Sequence, residues 1–239
     1  MKQVEALLDR FVADFDRLAL PEASVVLHGS VARGQYLPGW SDVNLLILLE
    51  GVSTNALEAL RPLLRWWKEE ARSVPLILSR AEWRRAADAY PLEIAEMRTG
   101  YRVLRGSDPL MELVVRPADL RQALEREFRG KLLRLRQVYA LLGDDGKALG
   151  TVARRSVSPI LLLCRGLLVL AGEAPPADPV DLVNRAGAVA GFSGPAVARV
   201  VTRRGQEDWA CSEAEFQGYL AAVETAAGFV DNHQIGERQ

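Results

Sequence analysis

Two short segments near the start of the chain carry residues whose types and spacing could do chemistry. In the first, Gly29 and Ser30 follow the apolar run 25–27 and precede residues 31–34 (VARG). A glycine turn lets backbone amides approach a phosphate closely, and a serine hydroxyl adds a further donor. We expect this turn, at the beginning of a helix, to bind the outer phosphates of a nucleoside triphosphate.

The second segment places Asp42 and Asn44 two residues apart at the start of the apolar run 43–49. On a strand, side chains two apart point to the same side and can converge on one ion or a pair. Carboxylate and amide oxygens suit a hard divalent cation. We therefore expect a magnesium or manganese site here, completed by a further carboxylate that helps to deprotonate an incoming hydroxyl.

That further carboxylate is either Glu93 or Glu96, which lie in residues 92–97, a predicted strand. Residues three apart on a regular strand face opposite sides, so only one can point to the site. We favour Glu93 as catalytic and metal-binding, because Leu92 and Ile94 would then face the apolar layer together. The alternative is a solvated glutamate at a strand end.

Two cations are candidates for contact with the nucleotide. Arg33 is expected to pair with Asp42 or to reach a phosphate. Lys131 lies in residues 116–136, where seven basic residues stand against three acidic ones. The alternative for Lys131 is an ordinary helix pair with Glu127 on a solvated face.

Predicted helices and strands are mixed in the first part of the chain, where the candidate site residues lie. Residues 3–18 and 55–71 have the apolar spacing of helices, and Pro62 is expected to break or restart the second one. Ser79 and Glu82 form a capping box for a short helix ending near residue 89. Short apolar runs bounded by turn residues predict strands. They are 24–27, 43–49, 74–78, 92–97 and 101–104.

After residue 109 the apolar residues recur at spacings of three and four, which predicts helices. A long one should cover most of residues 116–142, and further ones 147–171, 180–189 and 214–232. We predict an α+β chain with a mixed sheet and flanking helices in residues 1–110 and an all-α helical bundle in residues 111–239.

Composition narrows the class of protein. The net charge of −1 provides no field that would attract nucleic acid, and the two cysteines have no metal or redox spacing. The N-terminus alternates charged and apolar residues, and the longest apolar stretch is interrupted by Arg165. We therefore expect a cytoplasmic protein without a membrane segment.

The combination of Gly29-Ser30, residues 32–34 (ARG) and Ser41-Asp42-x-Asn44-Leu45 resembles the DNA polymerase beta-like nucleotidyltransferase superfamily. Within that superfamily, it particularly resembles bacterial members that are similar to kanamycin nucleotidyltransferase and the streptomycin adenylyltransferases. The resemblance implies a nucleotidyltransferase fold for the first domain. It further implies that Gly29 and Ser30 contact the nucleotide phosphates and that Asp42 and Glu93 hold the metal.

The sequence departs from this family at Asn44, which stands where the usual Asp-x-Asp pair has its second aspartate. We expect a metal-dependent nucleotidyltransferase that moves a nucleoside monophosphate from a nucleoside triphosphate, with ATP favoured, to a hydroxyl of a small molecule or a protein. The alternative is a catalytically silent protein of the same fold that binds a nucleotide or a partner in an antitoxin-like role. A homodimer and a toxin-like protein partner are both left open.

Overall fold

The computed structural model describes residues 2–20, 22–36, 42–111 and 113–234. The chain divides into two compact units, Met1–Val115 and Arg116–Gln239. The first contains a sheet with helices and the second contains helices. The predicted α+β class is therefore confirmed.

The sheet of the first unit has four strands in the order β3-β2-β1-β4. They are β1 (Ser24–His28), β2 (Asn44–Leu49), β3 (Leu76–Ser79) and β4 (Tyr101–Arg105). The central β1 runs antiparallel to both β2 and β4, whereas β2 and β3 are parallel. The mixed sheet expected from the apolar runs is confirmed.

Both faces of this sheet are covered, which explains why β1 and β2 are almost uniformly apolar. On one face the strands pack against α1 (Lys2–Asp16) and α2 (Thr54–Ala71) around Phe11 and Trp67. On the other face Val26 and Leu46 pack against the short helices α3 (Arg80–Arg84), α4 (Ala86–Ala89) and α5 (Pro91–Arg98).

Helix α2 continues through Pro62, where the sequence predicted a break. The proline removes one backbone hydrogen bond, but Leu60, Leu63 and Trp67 remain on the buried face of the helix. Burial of that apolar face offsets the lost bond. The capping box of Ser79 and Glu82 is present at the start of α3, as predicted.

The predicted strand 92–97 is wrong, because these residues lie in helix α5. Pro91 occupies the first turn, where a backbone N–H would have no hydrogen-bond partner within the helix, so the proline costs no hydrogen bond. The residues that follow are mostly strong helix formers, with Ile94 the one β-branched residue among them. The spacing of apolar residues over so short a segment does not distinguish a helix from a strand. The helix propensity of these residues would have predicted the helix.

The second unit is built from five helices in its described residues. They are α6 (Pro117–Leu142), α7 (Gly146–Leu170), α8 (Pro179–Ala190), α9 (Gly194–Arg203) and α10 (Glu213–Asn232). Phe128 of α6, Leu163 of α7 and Phe216 of α10 are buried in its interior. In the described residues, no helix combines the length and apolar character needed to cross a membrane.

Candidate functional site

Strand β1 ends in a tight turn that begins at Gly29. The φ angle of Gly29 is 82°, a left-handed conformation that side chains rarely adopt. The turn closes through three backbone bonds: from Arg33 N to Gly29 O (3.2 Å), from Gly34 N to Val31 O (3.0 Å) and from Gln35 N to Ser30 O (2.8 Å). These residues therefore form a compact loop, which we call the glycine turn (residues 29–35).

No helix follows Gly29 and Ser30 within the described residues 30–36, so the predicted helix start is wrong. Gly34 also has a positive φ angle, of 75°, and ends the helical hydrogen-bonding after a single turn. The glycine turn can therefore offer backbone amides to a phosphate, but it lacks the dipole of a complete helix.

Asn44 and His28 are direct partners where β2 begins and β1 ends. The amide nitrogen Nδ2 of Asn44 lies 3.1 Å from the position that a Cβ on Gly29 would occupy. The Asn44 side chain therefore packs against the first residue of the glycine turn. This brings the two segments that the sequence singled out into contact.

Asp42 is exposed and lies two residues before Asn44, the first residue of β2. Val43 and Leu45 are both buried in the α1 and α2 face of the sheet. The alternation therefore continues through residue 43, and Asp42 and Asn44 project to the opposite side together. Ser41, which belongs to the motif quoted above, lies outside the described residues.

Helix α5 lies on that opposite side and carries both candidate carboxylates. Because α5 is a helix, Glu93 and Glu96 are neighbours one turn apart, and the expectation that they face opposite directions is wrong. Glu93 is exposed, whereas Glu96 is partly buried. The structure brings Glu96 to the glycine turn, and the role of Glu93 stays a prediction.

The contact of Glu96 with the glycine turn is an ion pair with Arg33. Nη1 of Arg33 donates to Oε1 of Glu96 at 2.5 Å, and the two side chains are only 8% and 12% exposed. The same nitrogen lies 3.3 Å from Oγ1 of Thr99. Arg33 thus pairs with Glu96 and not with Asp42, which was one of its two predicted partners.

The electrostatic environment of His28 reflects the same cluster. Burial lowers the pKa of His28 below its ordinary value, the negative charge of Glu96 opposes that change, and Arg33 adds to it. Nδ1 of His28 is buried with no hydrogen-bond partner in the part of the chain described here. His28 is therefore held as the neutral imidazole at neutral pH.

Lys131 lies on α6 in the second unit. Its Nζ is 3.6 Å from Oε2 of Glu127, one turn away, and both side chains are substantially exposed. This is the pair expected under the solvated-face alternative. Contact between Lys131 and a nucleotide stays a prediction.

The residues present provide oxygen ligands for one divalent ion more readily than for two. In the described ranges, no three His, Cys, Asp or Glu side chains are grouped to hold a metal. Strand β3, the parallel neighbour of β2, has the sequence LILS and contributes no carboxylate. Asp42 and Asn44 could supply one carboxylate and one amide, which are oxygen ligands of the kind that a single Mg²⁺ accepts.

Comparison with known proteins identifies the kind of domain in which these residues lie. Residues 8–97 match the family model described as a nucleotidyltransferase domain. The first unit therefore carries a nucleotidyltransferase domain, and the resemblance drawn from Gly29, Ser30 and Asp42 is confirmed.

Among solved structures, the chain is similar to the spectinomycin adenyltransferase AAD(9) from Enterococcus faecialis, which was crystallised with ATP and spectinomycin. The TM-score is 0.52 at 14% sequence identity, and the match covers 94% of this chain and 99% of that one. At this identity the likeness establishes a shared fold. The sequence has no significant match among curated proteins.

Proposed function

We propose that this chain transfers a nucleoside monophosphate from a nucleoside triphosphate, ATP in the first instance, to a hydroxyl group of a small molecule. The hydroxyl oxygen forms a bond to the α-phosphorus, the bond from that phosphorus to the bridging oxygen breaks, and pyrophosphate leaves. The observation that carries the proposal is the contact between the glycine turn and Asn44, beside Asp42, inside a nucleotidyltransferase domain.

Each part of the site has a task in this reaction. The amides and the Ser30 hydroxyl of the glycine turn bind the outer phosphates. Asp42 and Asn44 would hold one Mg²⁺ or Mn²⁺ ion together with phosphate oxygens, and such an ion neutralises charge on the triphosphate. Glu93, exposed on α5, is proposed to accept the proton of the acceptor hydroxyl.

The nature of the two substrates is inferred from the solved relative. That protein was crystallised with ATP and with spectinomycin, a small molecule, and its fold is shared along nearly the whole chain. We extend the same pair of substrate classes to this chain. A cytoplasmic location, where nucleoside triphosphates are available, is part of this proposal.

Calorimetric titration with each nucleoside triphosphate, in magnesium and again in EDTA, tests the first step. We expect binding that magnesium strengthens and that Asp42→Ala weakens, because that variant removes the one carboxylate of the pair. Asp42 is exposed, so its replacement should leave thermal stability unchanged. Glu58→Ala, at an exposed position of α2, is the control and should bind as the wild type does.

Release of pyrophosphate in the presence of a panel of hydroxyl-bearing small molecules tests the transfer itself. Glu93→Gln should lower the rate of release without weakening nucleotide binding, since a general base acts on the acceptor. If the wild type binds no nucleoside triphosphate at all, the proposal is wrong, and a search for a protein partner becomes the next experiment.

One observation favours a second candidate, a silent protein of this fold that binds a nucleotide or a partner chain. Asn44 replaces an anionic ligand with a neutral amide, and β3 supplies no carboxylate beside it. This candidate predicts equal nucleotide affinity in magnesium and in EDTA, with no pyrophosphate release. Asn44→Asp then distinguishes the two, because a gain of magnesium dependence from that one change would show that the wild-type site had lost its metal.

A further inference from the structure

The ion pair of Arg33 and Glu96 is buried, unlike most ion pairs between the described residues. Most of the other pairs join side chains that are exposed by a quarter or more, whereas here neither partner exceeds 12%. Ion pairs on the surface contribute little to stability. A buried pair fixes the two groups that it joins, because breaking it leaves an uncompensated charge in the protein interior. The pair therefore ties the glycine turn to α5.

The side chain of Arg33 is held at several points along its length. Its Nε lies 3.5 Å from Oε1 of Gln35, so one contact stays within the glycine turn. Its Nη1 reaches Glu96 and Thr99, and the Thr99 hydroxyl donates in turn to the Glu96 carbonyl oxygen at 2.7 Å. The guanidinium thus bridges the turn and the C-terminal end of α5.

Gly100 provides the space for this side chain. A Cβ at Gly100 would overlap Cγ of Arg33, and its next neighbour would be Cδ of the same side chain. The atoms in the way belong to the middle of a side chain that is fixed at its far end, so they cannot move without disturbing the ion pair. A glycine at position 100 is therefore required by Arg33.

We propose that Arg33 and Glu96 are positioning residues, which hold the glycine turn in the conformation that binds the nucleotide phosphates, and that Arg33 is not itself a phosphate ligand. This inference rests on the proposed nucleotide binding at the turn. The guanidinium of Arg33 is paired with Glu96, and its side chain is only 8% exposed. The backbone amides of the glycine turn and the Ser30 hydroxyl are therefore the groups that contact the ligand. A binding loop that is fixed before the ligand arrives binds more tightly than one that must be ordered.

Three variants of the full chain test the pair: Arg33→Gln, Glu96→Gln and the double variant. ATP affinity is measured by calorimetry at a temperature where every variant remains folded, and thermal unfolding is recorded separately. We expect each single change to weaken ATP binding by about tenfold, because the displaced turn no longer presents its amides correctly. The double variant should bind no more weakly than the weaker single variant, since both changes break one contact. Arg33→Lys, which keeps the charge, should recover part of the affinity.

The same measurements contain the results that would overturn the proposal. If Arg33 contacts phosphate directly, Arg33→Gln weakens binding while Glu96→Gln leaves it unchanged or strengthens it. If the pair only stabilises the fold, the unfolding temperature falls while ATP affinity of the folded variants is unchanged. Absence of ATP binding by the wild type itself overturns the proposed function, and the positioning role with it.

Gly100→Ala provides an independent variant in case the charge changes prevent folding. It keeps both charged groups and should weaken ATP binding to a similar extent, because the added methyl displaces the stem of Arg33. Gly51→Ala is the matched control, since nothing lies within 4 Å of a Cβ at that position. Equal ATP affinity of Gly100→Ala and Gly51→Ala would contradict the positioning role.

Discussion

His28 and Asn44 are cross-strand partners at the end of β1 and the start of β2, and Gly29 directly follows the histidine. The side chain of Asn44 thereby packs against the first residue of the glycine turn. The antiparallel pairing of β1 with β2 therefore holds the Asn44 side chain against the left-handed backbone of Gly29.

Gly29→Ala should reduce both stability and nucleotide affinity. The left-handed conformation alone costs a side chain about 1–2 kcal/mol. The new Cβ would also press on Nδ2 of Asn44, which lies 3.1 Å away. Urea unfolding and calorimetric titration with ATP measure the two effects.

Gly191→Ala, at the end of α8 in the second unit, is the matched control for that substitution. Gly191 has a similar φ angle of 81°, but nothing lies within 4 Å of a Cβ placed there. This variant should therefore lose a similar amount of stability and keep its ATP affinity. Equal losses of affinity in the two variants would show that the lost stability, and not the contact with Asn44, weakens binding.

Stability should fall on acidification because of His28. Burial lowers the pKa of His28 in the folded state, so the unfolded chain takes up a proton first as the pH drops below about 6.5. The contribution of His28 to the free energy of unfolding is therefore complete above that pH and is lost as the pH falls through the lowered pKa. Urea unfolding at a series of pH values between about 8 and 5 measures this loss.

His28→Gln should flatten that decline, because the variant has no imidazole to protonate. His233, at the end of α10, is the second of two histidines in the chain, and His233→Gln is the matched control. A pH dependence of His28→Gln that equals that of the wild type would assign the decline to other groups.

The two cysteines should resist thiol reagents in the folded protein. Burial raises the pKa of Cys164 to about 12, although Arg165 opposes the change, and burial together with Glu215 raises the pKa of Cys211 to about 11. Because the thiolate is the reactive form, neither should be labelled at about pH 8. Mass spectrometry after treatment with iodoacetamide counts the modified thiols.

Unfolding in urea is the control for that count, and it should expose both thiols to the reagent. Labelling of one thiol under native conditions would instead reveal local opening of the helical unit near that cysteine. Cys164→Ala and Cys211→Ala would identify which one reacts.

The sequence was sufficient to predict the parts of the site that are local in the chain. Gly29 and the two apolar runs on either side of Asp42 predicted the glycine turn and strands β1 and β2, because glycine and strand periodicity act over a few residues. The helix that was also predicted to begin after Ser30 is not present in residues 30–36. Helix α5 was missed, since eight residues with apolar side chains on several sides carry no clear period. The bond between Arg33 and Glu96 joins residues 63 positions apart, and no local pattern predicts such a contact.

The match to the family model ends at residue 97, but the sheet does not. Strand β4, Tyr101–Arg105, pairs with β1 along nearly its whole length, and Gly100 precedes it. A protein fragment cut at residue 97 would leave the central strand with one bare edge and its apolar face open to water, which favours aggregation. Anyone who isolates the first unit for crystallisation or screening should therefore keep the chain at least to residue 115, where that unit ends.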